Sequence, residues 1–146
     1  LVIADIVTRL RSAGEVSVGS TQERKLPSLK HLFTPIQLKL AAEISPENLI
    51  SLLHPTAALG GFPREAAWKW LHEQPEAKVR ERFGAPFGYL KKDVAFMIVA
   101  IRNLQFHSQK IWLGSGCGVV KGSVPELEWE ELQLKRDSVR QQLGLG

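Results

Sequence analysis

The sequence predicts an α+β fold, an antiparallel sheet covered by helices. Three stretches carry that expectation. Residues 94–101, VAFMIVAI, form a continuous apolar run of strand length rich in β-branched side chains, the pattern of a central buried strand. Residues 125–143 place Leu132, Val139 and Leu143 on one apolar stripe at helical spacing. Residues 1–13 repeat apolar positions at the same spacing, with Asp5, Arg9 and Arg11 between them and Gly14 as a stop.

Bulk properties set the outer bounds. The 146 residues are 44% apolar and 23% charged, which fits one soluble globular domain with its own core. No run reaches membrane-spanning length and no secretory signal is visible, so no membrane partner is expected. Cys117 is the single cysteine. It excludes an internal disulfide and any multi-cysteine metal site, and it points to the cytoplasm. The net charge is +4, but the basic residues are scattered: Arg9, Arg11, Arg24, Lys25, Lys30, Lys39, Lys91, Lys92. No basic run is interleaved with aromatics, so nucleic acid is not an expected partner. The chain opens on Leu1 inside a helical pattern and reads as a piece of a longer polypeptide.

The remaining elements follow in order. Residues 15–24 are polar and glycine-containing and read as a loop. Residues 29–40 alternate loosely and read as a strand carrying His31. Residues 45–53 read as a short helix with Ser45 as N-cap, Pro46 at N1 and Asn48 at N3. Residues 54–64 are turn chemistry, with Gly60-Gly61 suited to positive φ and Pro63 opening a helix to residue 73. That helix is expected to turn Ala66, Ala67, Trp70 and Leu71 inward. Residues 75–82 form a charged connection. An antiparallel meander over 87–90, 94–102, 105–113 and 116–120 completes the sheet. Ser123 is the expected N-cap of the closing helix.

The chemistry concentrates between residues 114 and 135. Gly114, Gly116 and Gly118 leave one face of their segment bare, so that another group can approach the backbone. Glu128, Glu131 and Lys135 fall at i, i+3 and i+7 on one helical face. Two carboxylates and an ammonium facing bare backbone suit a divalent cation together with an anionic ligand. The helix dipole alone also gathers acids in a first turn, and spacing leaves both readings open. Arg102 is either a strand-end charge or a two-point clamp for a carboxylate. His31, beside apolar residues, reads as structural by itself.

The stretch GSGCGVVKGSVPELEWEELQLK, residues 114–135, resembles the C-terminal signature of the chorismate-utilising enzymes. LLHPTAALGGFPR, residues 52–64, resembles a second motif of the isochorismate synthases. Ala100-Ile101-Arg102 matches the family's Ala-Ile-Arg element between them. The resemblance covers essentially the whole chain. It implies the C-terminal half of the anthranilate-synthase-like chorismate-binding fold, with residues 1–146 as the C-terminal part of a single chorismate-binding domain. The activity implied is magnesium-dependent isomerisation of chorismate to isochorismate, feeding menaquinone or siderophore biosynthesis. The alternatives are a salicylate synthase, which also eliminates pyruvate, and a catalytically inactive chorismate-binding fragment.

The resemblance also implies roles. Glu131 coordinates Mg2+ directly, and Glu128 does so directly or through water. Lys135 and the backbone N–H groups near Gly116 and Gly118 meet the ring carboxylate, and Arg102 takes the enolpyruvyl carboxylate. His31, Ala58, Leu59 and Phe83 line the substrate. Ala58 stands where chorismate-aminating relatives carry threonine; a methyl cannot hydrogen-bond a nucleophile or a ring hydroxyl, which argues against the anthranilate and aminodeoxychorismate synthases. Phe83 stands where tyrosine is usual and Ala85 where glycine is usual. The family's general-base lysine, general-acid glutamate and a Glu-His pair with a further magnesium ligand lie upstream of Leu1. No catalytic acid or base is therefore assigned, the missing N-terminal part is the expected partner, and the chain alone is expected to be inactive.

Overall fold

The computed structural model describes residues 1–25, 30–75, 77–92 and 94–145. The chain falls into two compact units, Leu1–Glu65 and Ala66–Gly146.

The first unit opens with helix α1, Val2–Leu10. Its apolar stripe turns inward: Leu10 is buried, and Ile6 and Val7 are half-buried. The helix stops short of the predicted end because Ser12 turns its hydroxyl back onto the Arg9 carbonyl, and the Ala13 carbonyl accepts from the Ala41 N–H. Residues 15–24 are not a loop. They supply strands β1, Gly14–Val18, and β2, Gln22–Lys25. The strand predicted over 29–40 is two strands, β3, Lys30–Phe33, and β4, Ile36–Leu40; its first residue, Leu29, lies outside the described residues.

β1 pairs antiparallel with β4, from Gly14 opposite Leu40 to Val18 opposite Ile36. β2 pairs antiparallel with β3, from Gln22 opposite Phe33 to Lys25 opposite Lys30. The break between the pairs falls at Pro35, which has no N–H for a ladder. Gly19 donates to the Pro35 carbonyl there, and the Thr21 and Thr34 hydroxyls bond to each other at 2.8 Å.

Helix α2, Pro46–Leu53, follows as predicted, with the Ser45 hydroxyl accepting from the Asn48 N–H. The expected turn after it contains a short helix, α3, Ala57–Gly60. Gly61 takes the positive φ, at 81°, but Gly60 does not; it lies buried against the Pro55 ring. The His54–Pro55 and Phe62–Pro63 peptides are cis. Helix α4, Arg64–Glu73, starts just after Pro63 and runs across the boundary between the units. Ala67 and Leu71 are half-buried as expected, whereas Ala66 is exposed and Trp70 is 60% exposed.

In the second unit a short helix, α5, Ala77–Arg80, interrupts the predicted connection. Strands β5, Pro86–Lys91, and β6, Val94–Val99, form one antiparallel hairpin. Strands β7, Leu104–His107, and β8, Lys110–Leu113, form another. Antiparallel pairing is as predicted; a continuous meander is not. The span 105–113 doubles back at Ser108, whose φ is 54°, and residues 116–120 form no strand. β6 is not a central buried strand: among the described residues it pairs with β5 alone, and Phe96 and Ile98 are about half exposed. Apolar composition records the burial a strand suits, not the burial it finds.

Helix α6, Pro125–Gln142, closes the chain. Ser123 is not its cap. The Ser123 hydroxyl accepts from the Val120 N–H instead, and Val124 occupies the cap position. Of the predicted stripe, Val139 is buried, Leu132 is half-buried and Leu143 is exposed. Leu10 and Val139 are the only buried members of the aliphatic and aromatic set among the described residues, so the core is smaller than the composition suggested. No helix of the described residues is long and apolar enough to cross a membrane.

Candidate anion and metal site

The second unit gathers most of the predicted site residues. The register sets this up. Leu104 lies opposite Leu113, so Arg102 and the 114–118 segment leave the same end of the β7–β8 hairpin. Ala100 donates to the Ala85 carbonyl and accepts from the Gly84 N–H, which brings Phe83 to that end as well. The Arg82 N–H, bonded to the Gln105 side-chain oxygen, fastens the same junction.

The bare face of the glycine segment is filled by Phe83. A β-carbon on Gly114 would stand 2.6 Å from a ring carbon of Phe83, and one on Gly116 would stand 3.4 Å away. Nothing stands within 4 Å of the corresponding position at Gly118. The alternation was legible in sequence; that its first two members receive an aromatic ring was not.

Helix α6 holds the segment from the other side. Its Lys135 ammonium donates to the Gly116 carbonyl at 2.9 Å and to Glu131 Oε2 at 2.8 Å. The Ser115 hydroxyl donates to the Leu132 carbonyl at 3.1 Å. The Cys117 thiol hydrogen-bonds Glu128. Burial pushes this thiol above its ordinary pKa; the hydrogen bond and charge of Glu128 add to the rise, and Lys135 opposes it. The face of Glu128, Glu131 and Lys135 is thus turned to residues 115–117, as the i, i+3, i+7 spacing anticipated. Ser115 and Cys117 were not anticipated. The signal available was their interleaving with the glycines, which turns Ser115 and Cys117 toward α6 while Gly114 and Gly116 meet Phe83.

Arg102 differs from the expected strand-end residue. β6 stops at Val99, and Arg102 has φ 55°, in the left-handed region that side chains other than glycine seldom adopt. Asn103 steadies this bend through its side-chain amide, which donates to the Ala100 carbonyl at 2.7 Å. Among the described residues nothing hydrogen-bonds or ion-pairs with the Arg102 guanidinium.

The other predicted residues belong to the first unit. His31 lies on β3 opposite Arg24 and is exposed. Ala58 and Leu59 are inside α3, the first exposed and the second half-buried.

As a metal site, the face of α6 offers two hard carboxylates about one turn apart. That donor set fits magnesium, which keeps several waters and takes one or two carboxylates, the rest coming from substrate. No group of three or more His, Cys, Asp or Glu gathers around a metal position among the described residues, so an all-protein cage is not on offer there.

The chain is similar to known proteins over most of its length. The family model described as chorismate binding enzyme matches residues 1–144. The chain is 40% identical over 121 residues to isochorismate synthase MenF of Bacillus subtilis, covering 82% of this chain and 26% of that protein. It is 36% identical over 122 residues to the salicylate biosynthesis isochorismate synthase of Pseudomonas aeruginosa, covering 83% of this chain and 25% of the relative. The solved structure of MenF, the menaquinone-specific isochorismate synthase of Escherichia coli, superposes with a TM-score of 0.83 at 29% identity, covering 95% of this chain and 32% of that one. The chain therefore spans about a quarter to a third of the length of these relatives.

Proposed function

We propose a function from one premise: the chain belongs to the chorismate-binding enzymes, and within them it is of the isochorismate synthase type. The activity it serves is conversion of chorismate to isochorismate, moving the ring hydroxyl from C4 to C2. Chorismate is a dicarboxylate, and this chain offers two places for anions. Arg102, free of partners among the described residues, takes the enolpyruvyl carboxylate through a planar two-point contact. Lys135 and the backbone N–H groups near Gly116 and Gly118 take the ring carboxylate. Glu131 and Glu128 hold Mg2+, which supplies a Lewis acid to polarise and orient that carboxylate. Phe83, beside the glycine segment, bounds the ring; the resemblance assigns His31, Ala58 and Leu59 to substrate as well.

The observation that carries this reading is Lys135 joined at once to Glu131 and to the Gly116 carbonyl. It keeps the carboxylate helix against the glycine segment, so groups for metal and for anion share one small surface. Isomerisation also needs a base to activate water at C2 and an acid for the departing C4 hydroxyl. The resemblance gives those roles to a lysine and a glutamate outside the motifs present here. Residues 1–146 alone are therefore a binding half without turnover, acting in the cytoplasm with the remainder of the polypeptide. A role in menaquinone biosynthesis follows the MenF relatives; a siderophore role and a salicylate product are the further readings, the last favoured by the Pseudomonas relative.

The test is an isomerisation assay of residues 1–146 with magnesium, beside the Bacillus subtilis MenF protein. The expected result is isochorismate from MenF and none from the chain. Turnover by the chain at a comparable rate would put the acid and base inside it and overturn the assignment of roles.

A further inference from the structure

The turn that leads into Ala58 and Leu59 of α3 is held by two arginines and one aspartate. The Arg9 guanidinium binds both carboxylate oxygens of Asp5, at 3.0 and 2.6 Å, one helical turn away. Its remaining nitrogen donates to the carbonyls of Leu53 and Pro55, at 3.2 and 3.0 Å. Arg64 donates to the carbonyl between them, that of His54, at 2.7 Å. Asp5 Oδ2 also accepts from the N–H of Ala57, the first residue of α3, at 3.2 Å. The Asp5 and Arg9 side chains keep only 9% and 11% of their surface exposed. Three successive carbonyls and the next helix's first free N–H are thus satisfied by charged side chains, two of which lie some fifty residues away in sequence.

Stability alone does not account for the arrangement. A buried ion pair roughly cancels its own desolvation cost, so the pair itself adds little net stability. What the pair does supply is a fixed path. Leu53 ends α2, where a cation suits the helix's negative end, and Ala57 begins α3, where a carboxylate suits the positive end. Both oxygens of Asp5 and three nitrogens of Arg9 are committed, so the 53–57 backbone has one arrangement that satisfies all of them.

We propose that Asp5 and Arg9 are positioning residues for the substrate: by fixing residues 53–57 they set where Ala58 and Leu59 meet the ring. The proposal rests on reading Ala58 and Leu59 as substrate-facing. Asp5→Asn keeps the shape and one acceptor but loses the charge that binds the guanidinium. Arg9→Lys keeps the charge but cannot reach Asp5 and two carbonyls together.

The experiment measures amide hydrogen exchange and chorismate affinity, with magnesium, for residues 1–146 and for both variants. The expected result in each variant is exchange about tenfold faster at Ala57, Leu59 and Gly60. The β1–β4 ladder should be unchanged, and chorismate should bind several-fold more weakly. Faster exchange in β1–β4 to the same degree would make the pair a general structural support and overturn the proposal. Local loosening with unchanged chorismate affinity would overturn it equally. Failure of the unaltered chain to bind chorismate would sink the functional reading and, with it, the substrate role; the exchange pattern would still decide whether the pair holds the loop.

Discussion

The Lys135 ammonium donates to the Gly116 carbonyl oxygen at 2.9 Å, across 19 residues of sequence. With the Ser115–Leu132 bond, it ties helix α6 to the glycine segment. The proposed contact of the Lys135 ammonium with the ring carboxylate is a hydrogen bond between charged groups, about 1.5–3 kcal/mol, and 1.4 kcal/mol is about tenfold in affinity. Lys135→Met should therefore weaken chorismate binding about tenfold or more, while a thermal melt changes little, since Lys135 is part-exposed and its partner Glu131 is half-exposed. Calorimetric titration of the variant checks it; unchanged affinity would reduce Lys135 to a surface ion pair.

The Phe83 ring makes the glycines of the segment unequal. Gly114→Ala forces a methyl to within 2.6 Å of the ring, whereas Gly116→Ala meets it at 3.4 Å. Overpacking of this kind costs about 1–3 kcal/mol. Gly114→Ala should lower stability by that amount in a denaturant titration, and Gly116→Ala by much less. Gly114→Ala combined with Phe83→Leu should recover most of the loss, because the smaller side chain vacates the position.

Arg102 is held at φ 55°. A side chain in the left-handed region costs about 1–2 kcal/mol, and glycine avoids that cost while losing about 0.5–1 kcal/mol in unfolded-chain entropy. Arg102→Gly should leave stability unchanged or slightly raised and remove chorismate binding. Arg102→Lys should keep the strain and still bind poorly, because an ammonium cannot make the planar two-point contact. Thermal melts paired with binding titrations separate the two effects; an Arg102→Gly variant that binds normally would make Arg102 a bend residue only.

The Cys117 thiol is raised by burial first and by Glu128 second. Its alkylation by iodoacetamide, which needs the thiolate, should therefore have its midpoint above that of a free thiol. Glu128→Gln should move the midpoint down, by removing the charge and leaving only a neutral amide oxygen to accept from the thiol. The linkage has a definite sign. A group whose folded pKa exceeds its unfolded value contributes stability that is complete below the unfolded pKa and is lost as pH rises through the folded one. The loss falls on the alkaline side of the ordinary thiol value and should be smaller in Glu128→Gln.

The fold class and the shared face of helix α6 were legible in the sequence; the strand boundaries were not. Glu128, Glu131 and Lys135 share a face because helical spacing fixes that whatever the helix packs against. The Ser45 cap was legible for the same local reason. The β1–β4 ribbon was only partly legible: Val16 and Val18 alternate with Glu15 and Ser17, as Ile36, Leu38 and Leu40 do with Gln37 and Lys39, but Gly14 and Gly19 bracket β1 so closely that its five residues read as a loop. Ser123 missed its expected role because its hydroxyl found the Val120 N–H, a choice that propensity cannot rank. Residues 94–101 misled for another reason. Their apolar character is real, but the strand's faces in this chain remain about half open.

An NMR titration of residues 1–146 with chorismate, with and without magnesium, confronts the whole assignment at once. The account predicts saturable amide shifts at Arg102, Gly116, Gly118 and Lys135 that strengthen when magnesium is added, and no magnesium effect in Glu131→Gln. Shifts that are absent in both conditions, or that fall elsewhere on the chain and ignore magnesium, would contradict it.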